Sequence, residues 1–239
     1  MAEVKVALVT GANKGIGFET ARGLVREGYR TWLGCRDADR GEDAAARLRE
    51  EGGDARALAL DVADGASIQA AAATLAAAES RLDALVNNAG ITMQDDAGST
   101  SSEAVMRQVF EVNLFGAVAV INAFLPLLRR SPAGRIVNVT SGVGSLATMS
   151  DPLFRSLDVV AYAASKAALN MVTVQFAKAL ADSPIKINSG DPGLCATDMS
   201  GARATRSAAQ GAVVMVRLAT LPADGPTGGF FEDLGPVPW

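Results

Sequence analysis

The sequence predicts an α/β fold, a doubly wound parallel sheet with helices on both faces, in a single domain spanning residues 1–239. Two observations predict it. Apolar, β-prone stretches alternate with helical segments along the chain, the pattern of repeated strand–helix–strand units. A glycine cluster, Thr10-Gly11-Ala12-Asn13-Lys14-Gly15-Ile16-Gly17, falls between the first strand and the first helix. Glycines let the backbone turn tightly and let an anion approach the N–H groups at a helix start. That is the context a dinucleotide-binding turn requires, hence a Rossmann-like sheet. The spacing is G-x-x-x-G-x-G rather than G-x-G-x-x-G, and the cluster by itself is also compatible with a plain strand–helix turn.

The elements follow in order. Val4–Val9 is the first expected strand and Gly15–Glu27 the first helix. Arg30–Cys35 is a strand and Asp39–Glu51 an Ala-, Arg- and Glu-rich helix. Ala55–Leu60 is a strand; Ala66–Ser80 is an Ala-rich helix suited to close packing. Leu82–Val86 is a short buried strand. Ser102–Asn122, continuing to Leu128, reads as two successive helices opened by a Ser/Glu cap at Ser99–Glu103. Arg135–Thr140 is a strand, Val159–Leu180 the longest helix, Ile185–Asn188 a strand, Thr205–Ala219 a helix and Gly228–Glu232 a last strand. No Pro/Gly/Ser-rich linker divides the chain. Right-handed crossovers then place a ligand at the carboxyl ends of the strands.

Composition narrows the function. With 49% hydrophobic and 20% charged residues the chain can build a large core. A net charge of −4 argues against nucleic acid or an anionic membrane as partner. No uninterrupted apolar run reaches the ~20 residues of a membrane span. The first residues run straight into a strand, so no signal peptide is expected and a cytoplasmic location is. Cys35 and Cys195 are expected as small buried residues. The absence of histidine removes Ser-His-Asp hydrolysis and most zinc sites, and no metal is expected.

Tyr162-Ala-Ala-Ser165-Lys166 carries the chemistry. A tyrosine and a lysine four apart share one helix face. A nearby ammonium lowers a phenol's ordinary pKa near 10, making it a proton donor and acceptor near neutral pH. With this pair, the glycine turn, Asp61-Val62, Asn87-Asn88-Ala89-Gly90, Asn113, Ser141 and Pro192-Gly193 with Thr197, the chain resembles the short-chain dehydrogenase/reductase family. The shared pattern runs from Thr10 to about Thr197. Asn13-Lys14-Gly15 and the ending Gly-Pro-Val-Pro-Trp239 are similar to the carbonyl-reductase-like branch.

The resemblance implies roles. Tyr162 would protonate the substrate oxygen as hydride arrives, and Lys166 would hold the nicotinamide ribose and depress the tyrosine pKa. Ser141 would hydrogen-bond the same oxygen, with Thr140 the adjacent competing hydroxyl. Asn113 would join a proton relay with Lys166 and water, or else be a buried asparagine at a helix kink. Gly11, Asn13, Lys14, Gly15, Ile16 and Gly17 would cradle the pyrophosphate. Asp61, Val62, Asn87, Ala89 and Gly90 would contact the adenosine half, and Pro192, Gly193 and Thr197 the carboxamide.

NAD-preferring relatives carry an acid at the end of the second strand. Here that position is the neutral Cys35, followed by Arg36, with Lys14 in the glycine turn. Two cations facing a 2′-phosphate imply NADP. Asp37 is expected to point away from Arg36. Between Ser141 and Tyr162 lie more residues than in the shorter members, including Met149, Leu153, Phe154 and Leu157. The segment 145–158 is expected as a lid that also shields the long helix, giving a monomer or weak homodimer. The activity expected is NADPH-dependent reduction of a small-molecule aldehyde or ketone to an alcohol. The alternatives are a non-catalytic NADP(H)-binding regulator and an NAD-linked dehydrogenase of a hydroxy compound.

Overall fold

A computed structural model describes residues 4–93, 96, 101–200 and 204–239. In chain order the elements are β1 (Val6–Thr10), α1 (Gly15–Arg26), β2 (Arg30–Cys35), α2 (Ala38–Glu50), β3 (Ala55–Ala59), α3 (Gly65–Ala78) and β4 (Ala84–Asn87). There follow α4 (Glu103–Phe110), a π-helical stretch Glu111–Gly116, α5 (Ala117–Leu128), β5 (Arg135–Val139) and the short α6 (Leu146–Met149). The chain continues through α7 (Val160–Ala179), β6 (Lys186–Gly190), α8 (Ala208–Ala219), β7 (Phe230–Glu232) and β8 (Gly235–Pro236).

The strands form one sheet in the order β3-β2-β1-β4-β5-β6-β7-β8. All pairings are parallel except β7 with β8. Alternation within the strands feeds two cores, because successive side chains point to opposite faces. Ala7, Val9, Val86 and Val137 face α1, α2 and α8 through Phe18, Leu24, Leu48, Val214 and Met215. Val6, Leu8, Leu85 and Ile136 face α3 and α5 through Ile68, Leu75, Ile121 and Phe124. The order reverses between β1 and β4, and a ligand crevice opens there beyond the carboxyl ends of the strands.

Side chains start most of the helices. Asp37, Asp64, Ser102 and Ser207 accept from the first-turn N–H groups of α2, α3, α4 and α8. Of the expected cap on α4, Ser99 lies outside the described residues, and Ser102 does the capping. The run Glu103–Leu128 departs from expectation in two ways. It is continuous through the π turn, and it is long and apolar enough, by length and composition alone, to cross a membrane. Yet Val120, Ile121, Phe124, Leu127 and Leu128 are buried against the sheet.

The insertion behaves differently from its expected packing. Leu146, Leu153, Phe154 and Leu157 are exposed, Leu153 at 84%, and Met149 is only half-buried. The outer face of α5 and α7 is not shielded by them either. Phe115 and Met171 stand 55% and 57% exposed beside an open hollow lined by Leu114, Phe115, Val118 and Val172.

Candidate active site

The glycine turn leaves β1 with Gly11 and Gly15 at φ +64° and +59°, the left-handed region that glycine enters without strain. No side chain caps α1, whose N-cap is Lys14, so its first turn faces the crevice. A Cβ at Gly17 would lie 2.3 Å from Asn88 Nδ2. That close approach exists because Asn88 Nδ2 donates to Thr10 O at 2.9 Å and Gly11 O at 3.1 Å. Thr10 Oγ1 in turn accepts from Asn88 N and Ala89 N, both at 3.0 Å. Asn88, present in the motif but given no role from sequence, thus ties the β4 end to the glycine turn.

Asn87 takes another direction. Its Nδ2 donates to Asn138 Oδ1 at 2.9 Å inside the sheet, and its own Oδ1 has no partner among the described residues. Asp61 and Val62 lie just past β3, with Asp61 Oδ1 accepting from Ala63 N. Thr197 lies over the glycine turn, 3.4 Å from where a Cβ of Gly15 would stand. Pro192 is buried and Gly193 turns the chain with φ +69°.

Arg36 is exposed just past β2. Asp37 is occupied elsewhere: it caps α2 and pairs with Arg40 at 3.3 Å. Lys14 is ion-paired with Asp198 of the loop beyond β6, so one of the two expected phosphate cations has a carboxylate partner in this structure.

Deeper in the crevice, Ser141 follows β5, its Oγ accepting from Val143 N at 3.4 Å, and its side chain is close enough to that of Tyr162 on α7 to influence its ionisation. Lys166 is one turn on, 4% exposed, with Nζ donating to Val139 O at 2.8 Å and 5.5 Å from the Tyr162 ring centroid. Gly90 completes this corner, since a Cβ there would stand 3.5 Å from Lys166 Nζ and 3.3 Å from Asn113 Oδ1.

In this structure burial and the Asp191 carboxylate push the Tyr162 phenol up to about 12, with only Ser141 opposing. Burial also pulls the Lys166 ammonium down to about 8. Asn113 makes no direct side-chain hydrogen bond to Lys166. Its Oδ1 accepts from Ile91 N at 2.8 Å, and its Nδ2 donates to Ile91 O and Ser165 Oγ. It is buried at the π turn, a place compatible with both roles the sequence left open.

Asp96 carries a function no motif announced. Its carboxylate accepts from Ala161 N at 2.6 Å and Tyr162 N at 2.9 Å, capping α7 from a distant loop at the residue that bears the phenol. Both cysteines are free and buried, as expected, and burial raises both thiols, Cys35 to about 11. Among the described residues no cluster of acids and cysteines could hold a metal.

The crevice fits a dinucleotide: an uncapped helix start behind positive-φ glycines, small residues at the β4 end, and a Ser–Tyr–Lys corner beyond them. Comparison with known proteins agrees. The mouse carbonyl reductase [NADPH] 1 is 34% identical over 277 aligned positions, covering 98% of each chain. A (+)-neomenthol dehydrogenase of Capsicum annuum is 31% identical, covering 95% of each. The structure of NADPH-bound carbonyl reductase from chicken fatty liver superposes with a TM-score of 0.87 at 28% identity, over 99% of this chain and 100% of that one. The family model for short chain dehydrogenases matches residues 5–208, and the chain belongs to that family of oxidoreductases.

Proposed function

We propose that the protein is an NADPH-dependent carbonyl reductase acting on a small aldehyde or ketone. The observation that carries the proposal is the juxtaposition of two hydroxyls, Ser141 and Tyr162, beyond the carboxyl end of β5, with Lys166 one turn on along α7. A substrate oxygen placed between the hydroxyls receives two hydrogen bonds that strengthen as negative charge develops on it. Held by the glycine turn and Lys166, a reduced nicotinamide cofactor would supply the hydride to the carbonyl carbon. Tyr162 gives its proton to the oxygen, completing the alcohol, and recovers a proton from solvent. A phenol is protonated at neutral pH and can donate in the reductive direction. Lys166, behind Gly90, would hold the ribose hydroxyls. Arg36, with Cys35 in place of an acid and Asp37 engaged by Arg40, supports NADPH over NADH. The relative's name and the NADPH-bound neighbour support the same cofactor. We place the protein in the cytoplasm on the sequence expectation alone, and we take the exposed segment 145–158 as the rim of the substrate pocket.

The test is NADPH consumption with a panel of aldehydes and ketones. Turnover by the protein, lost by ~100-fold or more in Tyr162→Phe while NADPH binding survives, is the expected result. Tight NADPH binding with no turnover on any substrate would instead make the chain a regulator.

A further inference from the structure

The helix that carries Tyr162 and Lys166 does not close its own first turn. The N-cap of α7 is Val159, which offers no side-chain acceptor, and no acid stands in the first turn. The first N–H groups of a helix have no partner within it and need one from outside. Asp96 takes three of them in succession. Its backbone carbonyl accepts from Val160 N at 3.0 Å, its Oδ1 from Ala161 N at 2.6 Å and its Oδ2 from Tyr162 N at 2.9 Å. Ser101 Oγ donates to Oδ1 at 3.2 Å, and Asp96 is 2% exposed. A carboxylate there also meets the positive end of the helix dipole.

Asp96 belongs to the chain that leaves β4 through Ala89 and Gly90 at the cofactor crevice. That chain is pinned upstream as well, where Ile91 N donates to Asn113 Oδ1 and Ile91 O accepts from Asn113 Nδ2. The rest of the catalytic corner has other anchors. Lys166 Nζ is bonded to Val139 O of β5, and the turn after Ser141 is held farther along α7, where Asn170 Nδ2 donates to Gly144 O at 3.2 Å. The direction of the Tyr162 ring follows from the backbone that bears it. That backbone is the first turn of α7, and helix ends fray unless they are held.

We propose, building on the reductase reading, that Asp96 is a positioning residue for Tyr162. It locks the first turn of α7 onto the segment that follows β4 and so fixes the phenol relative to the cofactor crevice.

Asp96→Ala removes both side-chain acceptors and leaves the backbone carbonyl in place. Its kcat for carbonyl reduction should fall roughly 10- to 100-fold, the cost of a misplaced reacting group, while the Kd for NADPH stays where it was. Asp96→Asn keeps one acceptor and should recover part of the loss. A double variant separates positioning from stability. With no phenol left to aim, adding Asp96→Ala to Tyr162→Phe should cost no further turnover. Losses that multiply overturn the proposal. So does an Asp96→Ala protein that melts earlier but keeps the parent kcat when assayed while folded, which is what a merely structural cap gives. A second readout needs neither substrate nor cofactor. The chain has two tyrosines, so carbon-13 at tyrosine Cζ gives two NMR signals, assigned with Tyr162→Phe. In Asp96→Ala the Tyr162 signal should shift or broaden, while that of Tyr29, which precedes β2 at the other end of the sheet, stays in place. An unmoved Tyr162 signal overturns the proposal. A parent protein silent towards every carbonyl, with this change in the Tyr162 signal, refutes the reductase reading and upholds Asp96. Normal parent turnover with an unmoved signal does the reverse. If Asp96→Ala does not fold by circular dichroism, Asp96→Asn takes its place in each measurement.

Discussion

Lys166 keeps an ammonium where water scarcely reaches, with Val139 O accepting from it. Burial lowers its pKa from 10.5 to about 8, so the unfolded chain holds this proton over a pH range where the folded chain does not. Stability should therefore rise with pH between about 8 and 10.5, and the cost of the buried charge is fully present below 8. Tyr162 works the other way. Its phenol is raised from 10.0 to about 12, so the unfolded chain ionises first and stability falls across that interval. Lys166→Met keeps the volume and removes the charge. The desolvation relieved is on the order of 3 kcal/mol, and the hydrogen bond lost is worth about 1. The variant should gain ~1–2 kcal/mol at pH 7 in denaturant melts, lose the gain by pH 10, and lose turnover at both. An unchanged or lowered stability at pH 7 would mean that the ammonium is better accommodated than its burial indicates.

At the scale of elements, strands and helices were legible wherever hydrophobic periodicity is strong, from β1 through α8, with ends displaced by up to three residues. What was not legible has physical reasons. β8 is two residues long and contains Pro236, so it has no period to read. The π turn leaves the apolar pattern of Glu103–Leu128 unbroken and changes only the backbone bonding. Ser141, Tyr162 and Lys166 were readable from motif and spacing. Asp96 was not, because its bonds to Ala161 and Tyr162 span 65 and 66 positions. The shielding expected of the insertion did not hold because burial was inferred from residue type, whereas Leu153 and its neighbours remain exposed in the segment between Ser141 and Tyr162. Side chains left open there are available to a substrate. Excising residues 150–156 should raise KM for bulky ketones and spare both KM for NADPH and turnover of small aldehydes. Unchanged kinetics across substrate sizes would remove this segment from the pocket.

At the scale of the molecule, the crevice is assembled from loops that come from opposite sides of the switch point. The glycine turn belongs to β1, Arg36 to β2, and Thr197 and Asp198 to the loop after β6. The Lys14–Asp198 pair bridges them across the opening. Both partners are solvent-exposed, and such pairs yield readily to a better-placed anion. A 2′-phosphate would compete with Asp198 for Lys14. Asp198→Ala should then tighten NADPH more than NADH. Arg36→Ala should weaken NADPH by roughly 1.5–3 kcal/mol relative to NADH. Equal effects on the two cofactors, measured by titration calorimetry, would remove these side chains from the phosphate site.

Trp239 stacks on Phe230 with ring centroids 5.6 Å apart, and its carbonyl accepts from Ala147 N at 3.0 Å, on the insertion. The other tryptophan, Trp32, is buried on β2 and donates to Glu79 at 3.0 Å. The two indoles therefore form a built-in optical pair. Trp32 should emit as a sheltered fluorophore that external quenchers barely reach. Trp239, 43% exposed, should emit to the red and be quenched by iodide. Any rearrangement of the rim during turnover would alter the second component alone, giving stopped-flow fluorescence an unlabelled view of the insertion.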